Sequence, residues 1–190
     1  VFPLESGRYT PRPPTQVTQV PPEGHRLPPG LSATHPMALL ATWFGSGLLP
    51  WAPGTWGSLC ALPFAALLHY KFNEIGLAVA AVIVFVIGWL ASNVYIEANR
   101  AAEIDDADPK AIVVDEVAGQ WLTLAVAPLD PMMFALGFVL FRFFDIVKPW
   151  PANMIDKHIK SGLGIMLDNI VAGIYASAGL LLIRIFSGVN

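Results

Sequence analysis

The run Ile75 to Ala91, IGLAVAAVIVFVIGWLA, contains no charged residue. Lipid offers no partner for exposed backbone groups, so a run this apolar, close to the length that crosses a hydrocarbon core of about 30 Å, reads as a membrane-spanning helix extendable through Tyr95. The whole chain points the same way. Of its 190 residues 55% are hydrophobic and 13% charged, where a soluble domain needs about a quarter charged to wet its surface. Lys and Arg are scattered and the net charge is −3, which leaves no electrostatic footprint for DNA or RNA. Cys60 stands alone, excluding an intrachain disulfide framework and a multi-cysteine zinc site, and reads as apolar filler.

Residues 1–36 differ from the rest. Prolines from Pro3 to Pro36 interrupt polar sequence with no apolar period, the signature of a disordered tail ahead of a helical membrane domain over 37–190. The tail lacks the apolar core and small-residue cleavage site of a secretory signal, so nothing points to export of the following domain. Beyond it, further apolar stretches predict an all-α, polytopic fold of about five spanning or re-entrant helices. These are Ser58–Tyr70, Ile112–Ala127 opened by Asp115 and Glu116, Met132–Val147 closed by Arg142 and Asp145, and Ile170–Phe186 with Arg184 placed to snorkel. The turns fall at Lys71–Glu74 and Pro128–Pro131, where Asp130 followed by Pro131 makes a helix start.

Threading these spans through a bilayer brings every polar motif to one face, although apolarity alone defined them. GSGLLPWAPGTWGS (Gly45–Ser58) leads into the first span; Asp115 and Glu116 open the third; Arg142, Asp145 and Lys148 close the fourth; Asp168 and Asn169 open the fifth. Arg8, Arg12, Arg26, Arg100, Lys110, Arg142, Lys148, Lys157 and Lys160 share that side, against Lys71 and Arg184 opposite, which predicts a cytoplasmic motif face.

Carboxylates at membrane ends are costly unless paired or ligating a cation. Asp115, Glu116, Asp145 and Asp168 are hard oxygen donors that suit Mg²⁺, usually held by one or two carboxylates together with a substrate phosphate. Lys148 adds a point charge for phosphate. The i,i+3 spacing of Arg142, Asp145 and Lys148 puts all three on one helical face if the helix continues that far, although the same spacing suits an interfacial salt-bridge ladder. Gly45, Ser46, Gly47, Gly54, Thr55 and Ser58 suit either a backbone cradle for an anion or an irregular interfacial loop, and match no P-loop because the terminal lysine is missing. Small pairs such as Gly119 with Thr123, and Ala172 with Ala176, read as helix-packing positions. Asn93 and Glu97 stand second to the main cluster. His25, His35, His69 and His158 form no triad with Ser46, which disfavours a serine hydrolase.

FGSGLLPWAPGTWGS, IVVDEVAGQW, FRFFDIVKPWP and GLGIMLDNIVAG, in this order and spacing, resemble the motif blocks of the phosphatidylglycerophosphatase A family over about Ala38–Leu182. The resemblance implies a magnesium-dependent lipid phosphatase of the bacterial inner membrane. Its substrate would be phosphatidylglycerophosphate and its products phosphatidylglycerol and inorganic phosphate. Asp115 and Glu116 stand at the family's Asp-Glu pair, Asp145 and Lys148 in its Asp-x-x-Lys-Pro-Trp-Pro block, and Asp168 at the first acid of its final block. Asn169 departs from the pattern, which commonly has a second aspartate there, but still offers a neutral oxygen ligand. Asp108 resembles an upstream acidic position. On this reading Asp115, Glu116, Asp145, Asp168 and Asn169 hold one or two Mg²⁺, Arg142 and Lys148 meet the phosphate, and ligand and base are not separable among the acids. A nucleotide-linked phosphotransferase would need an Asp-x-x-Asp-Gly-x-x-Ala-Arg block, which is absent; a divalent-cation transporter, the non-enzymatic alternative, would place its acids near the midplane. Oligomeric state and acyl-chain preference stay open.

Overall fold

A computed structural model describes residues 26–187. Those residues form helices α1 (Pro36–Ala41), α2 (Pro53–Ala101), α3 (Val114–Leu124), α4 (Pro131–Val147), α5 (Ala152–His158) and α6 (Gly162–Ser187), with no strand among them. Of the tail expected over 1–36, residues 1–25 lie outside the described residues. Between Arg26 and Pro36 most residues are exposed, but the segment is anchored: Leu27 and Leu31 lie against the core around Tyr95, and Tyr95 Oη donates to Arg26 O over 2.8 Å.

α2 is two helices joined at Asn73, whose φ is positive (58°). With ψ at −167° it lies outside the left-handed helical basin that asparagine favours, so the position is strained, and the side chain works as a cap: Asn73 Oδ1 accepts from Ile75 N (3.0 Å) and Gly76 N (3.4 Å), starting the second half. The halves fold back on each other. Gly57 lies against Val113, and Gly88 against the adjacent Val114, whereas residues 57 and 88 would stand about 46 Å apart along a straight helix. Ala61 and Ala65 of the first half share a core with Leu77 and Ala81 of the second, and His69 faces Glu74 across the break at 3.8 Å.

α2 and α6 are long and apolar enough to cross a bilayer, and only 28% and 22% of their most apolar windows are buried. A soluble core helix would bury that surface. Here Val82, Ile83, Val86 and Leu90 of α2 and Leu182 and Ile185 of α6 are exposed, an arrangement suited to contact with lipid. α3 behaves differently from the expected span over 112–127. It has 11 residues, about 16 Å, and is buried on nearly every face between α2 and α6. Trp121 Nε1 ties it to Ala61 O (3.0 Å). On the α6 side Gly119 has no room for a side chain against Phe141 and Asn169 O, so the two backbones meet closely. α4 starts as expected, with Asp130 Oδ1 capping Met133 N (2.9 Å) and Pro131 in the first turn. Arg184 Nη1 reaches back to Val126 O (3.2 Å) at that same end of the bundle, away from the acids.

Candidate active site

The starts of α2, α3 and α6 and the end of α4 meet at the polar end of the bundle. Asp115 and Glu116 occupy the first turn of α3, where the unpaired N–H groups and helix dipole favour negative charge. Val113 N donates to Ala41 O (2.9 Å), fixing that turn against α1. Asp115 is 5% exposed. Its Oδ2 accepts from Asn169 Nδ2 over 2.6 Å, and the charges of Glu116, Asp168 and Asp145 all act on it.

A cation stands beyond each of these acids. Arg142, near the end of α4, is 3.8 Å from Glu116 Oε1, 2.5 Å from Asp145 Oδ2 and 3.5 Å from Ser58 Oγ. Ser58 Oγ in turn donates to Gly54 O (2.9 Å). Gly54 packs against the acids: a Cβ there would overlap Glu116 Oε1 and press on Arg142, so those side chains would have to shift, and its absence lets the first turn of α2 close over the pair. Lys148 terminates α4 in a left-handed conformation (φ 46°) just before Pro149. Its Nζ lies 2.5 Å from Asp168 Oδ2 and 3.0 Å from Asp156 Oδ1. Burial works against the ammonium, but Asp168 and Asp156 outweigh it and hold the pKa of Lys148 above its ordinary value. Asp168 Oδ1 accepts from Asn169 Nδ2 (3.3 Å). A polar chain therefore runs Asp156, Lys148, Asp168, Asn169, Asp115.

Asp115 Oδ1, Glu116 Oε2, Asn169 Oδ1 and Arg142 Nε are buried with no hydrogen-bond partner among the described residues. Buried oxygens left this way want a donor or a cation. No three His, Cys, Asp or Glu side chains among the described residues stand close enough to hold a metal by themselves, because Asp145 and Asp168 are turned to Arg142 and Lys148. What remains open is a carboxylate pair with an amide oxygen, a set that suits an ion also bound by substrate phosphate.

The expected site residues divide accordingly. Asp115, Glu116, Arg142, Asp145, Lys148, Asp168, Asn169, Gly54 and Ser58 come together. Thr55 follows Gly54 in the same turn, with its N–H donated to Ala52 O (2.9 Å). Gly45, Ser46 and Gly47 do not form an anion cradle: Gly45 N donates to Thr42 Oγ1, Ser46 N to Trp43 O and Gly47 N to Thr42 O, so the turn satisfies its own amides. The single helical face expected for Arg142, Asp145 and Lys148 ends early. α4 stops at Val147, so Arg142 meets Asp145 while Lys148 turns to α6. Asn93 accepts from Gly162 N (3.1 Å), and Glu97 is exposed. Two polar residues enter that sequence reasoning passed over. Asp156 comes back to Lys148 after the Pro149–Pro151 turn. Gln120, one turn below Glu116, is fully buried with both side-chain polar atoms unpartnered among the described residues; an amide inside an apolar helix was its only sequence signal.

The pattern of the phosphatidylglycerophosphatase A family matches residues 39–184. A phosphatidylglycerophosphatase A of Escherichia coli (strain K12) is 40% identical over 152 residues, covering 80% of this chain and 84% of that protein. One of Haemophilus influenzae is 37% identical over 147 residues, covering 77% and 87%. A protein of Bacteroides thetaiotaomicron provisionally described as a phosphatidylinositol-3-phosphatase is 35% identical over 151 residues, covering 73% and 87%. No solved structure matches the chain. With the match covering α2, nearly all of α6 and every polar motif between them, this chain belongs to the phosphatidylglycerophosphatase A family, the lipid phosphatases of bacterial membranes.

Proposed function

We propose that this chain hydrolyses the terminal phosphate of phosphatidylglycerophosphate, releasing phosphatidylglycerol and inorganic phosphate, in a Mg²⁺-dependent reaction. One juxtaposition carries the reading. Arg142, countered by Asp145, faces Glu116, and Lys148, countered by Asp168 and Asp156, is linked to Asp115 through Asp168 and Asn169, while the Asp115–Glu116 pair keeps partnerless oxygens. The names of the relatives supply the lipid.

The phosphate enters between the cations. The Arg142 guanidinium offers a planar fork for phosphate oxygens, and Lys148 has a further N–H beyond those given to Asp168 and Asp156. Held by Asp115, Glu116 and Asn169, Mg²⁺ would supply Lewis-acid polarisation of the phosphate and acidify a water. Water attacks phosphorus in line; the new P–O bond forms as the bond to the glycerol oxygen breaks, and that oxygen leaves with a proton as the phosphatidylglycerol headgroup. A carboxylate of the Asp115–Glu116 pair orients that water. Direct attack is the default route: Asp145 and Asp168 are tied to cations, and the Asp115–Glu116 pair is assigned to the ion and the water.

The same reading sets the chain in the bacterial inner membrane with the halves of α2, α4 and α6 as spans and α3 as a short helix buried among them. The excess of Lys and Arg at the polar end supports a site on the cytoplasmic side. A headgroup phosphate at the interface then reaches the helix ends while its acyl chains stay in hydrocarbon. The test is phosphate release from phosphatidylglycerophosphate by the purified protein with and without Mg²⁺, alongside Asp115→Asn and Asp168→Asn. Release that requires Mg²⁺ and both acids is expected. No release by folded, Mg²⁺-supplied protein would sink the substrate assignment and favour a non-enzymatic role in divalent-cation transport.

A further inference from the structure

We propose that Asp156 is a positioning residue that aims the Lys148 ammonium at the substrate phosphate, a role that rests on the phosphatase reading above. Lys148 caps the end of α4 and is held there by its backbone: its N–H closes on Phe144 O (2.9 Å), and the chain then turns through Pro149–Pro151 into α5. A lysine arm has several rotatable bonds and three donors, so one carboxylate leaves the ammonium free to swivel. Asp168 alone would be such a single tether. Asp156 supplies the second at 3.0 Å, and two fixed N–H directions determine the third.

The placement of Asp156 is built rather than incidental. α5 is seven residues long and isolated helices of that length do not hold together, so tertiary contacts must fix it. Tyr175 Oη of α6 donates to Trp150 O (2.9 Å) at the head of α5, and Ala152 is fully buried. With α5 seated on α6, Asp156 and Asp168 approach Lys148 from separate elements. Asp156 and Lys148 share an exposure of 30%, while Asp168 is at 5%, so the pair forms the outer end of the polar chain that reaches Asp115. Asp156 itself touches neither Asp115 nor Glu116, and acts through Lys148.

A double-mutant cycle on the full chain tests this, using phosphate release from phosphatidylglycerophosphate in detergent micelles with Mg²⁺ present. Asp156→Asn is expected to lower kcat about tenfold with KM changed less than about twofold, since the interaction matters most as charge develops. In the Lys148→Ala background the same change is expected to have no further effect. Equal fractional losses in both backgrounds would overturn the positioning role and leave the phosphatase reading intact. A folded wild type that releases no phosphate would overturn that reading, and this role with it. Where Lys148→Ala is too slow to compare or Asp156→Asn does not fold, Asp156→Glu and Asp156→Leu decide. Recovery of kcat by the charged variant and not by the apolar one supports the role, and equal rates for both would overturn it.

Discussion

Asn169 Nδ2 donates to Asp115 Oδ2 over 2.6 Å, joining α6 to α3 where both residues are almost fully buried. The amide lets a second polar residue touch a buried carboxylate without adding charge, and its own Oδ1, like Asp115 Oδ1, has no hydrogen-bond partner among the described residues. Replacing it separates the two contributions. Asn169→Leu removes the donor and is expected to destabilise the protein by about 2 kcal/mol, as an unsatisfied buried carboxylate does. Asn169→Asp puts two carboxylates in contact, so its melting temperature in detergent is expected to fall below wild type in chelator and to recover with Mg²⁺ more than wild type does. A melting temperature for Asn169→Asp that ignores Mg²⁺ would count against a cation at this pair.

Arg142 bonds Asp145 while facing Glu116 and Ser58, which calls for a planar, many-donor group. Arg142→Lys keeps the charge and loses the fork, so kcat/KM is expected to drop by about tenfold or more, with Arg142→Ala lower still. In an Asp145→Asn background the lysine variant is expected to lose less, because the partner it cannot grip is already neutral. Steady-state kinetics of the four proteins read the coupling directly. A lysine variant as active as wild type would show that charge alone suffices.

Gly54 contributes by what it lacks. Alanine is the better helix former by about 1 kcal/mol, yet Gly54→Ala would drive a methyl into Glu116 Oε1, and at least a tenfold loss of kcat/KM is expected with the fold retained. Gly179→Ala is the control. Its Cβ would sit 3.6 Å from a Leu140 methyl, an ordinary contact, so activity should hold and stability rise by a few tenths of a kcal/mol, up to about 1 kcal/mol. Matched losses in both variants would attribute the effect to helix packing in general rather than to the site.

What the sequence made visible follows from the cost of charge in lipid. Asp115, Glu116, Arg142, Asp145, Lys148 and Asp168 stand out because each interrupts or ends an apolar run, and the structure gathers them through the helix termini that those runs define. Gly45–Gly47 looked the same as Gly54 in composition. In the fold the first group spends its amides on Thr42 and Trp43, while Gly54 is pressed against Glu116. Asp156 was hidden because its approach to Lys148 depends on how the chain turns, and a Pro-Trp-Pro run signals a break without its direction. The length of α3 was hidden for another reason: apolar residues at 112–127 meet other helices as readily as lipid, and hydropathy does not distinguish the two media.

Asn73 tests whether the fold-back of α2 is written locally. Its positive-φ backbone and its cap to Ile75 N and Gly76 N both belong to one residue. Asn73→Ala would retain a Cβ in the strained region and lose the cap, an expected destabilisation of about 2 kcal/mol. Asn73→Gly relieves the strain and loses only the side-chain bonds, so it should cost a few tenths of a kcal/mol, up to about 1 kcal/mol. Thermal unfolding in detergent ranks them. The order wild type, glycine, alanine supports a turn encoded by Asn73 itself. Equal stability of all three would mean that packing of Ala61 and Ala65 against Leu77 and Ala81 imposes the reversal without help from the residue at its apex.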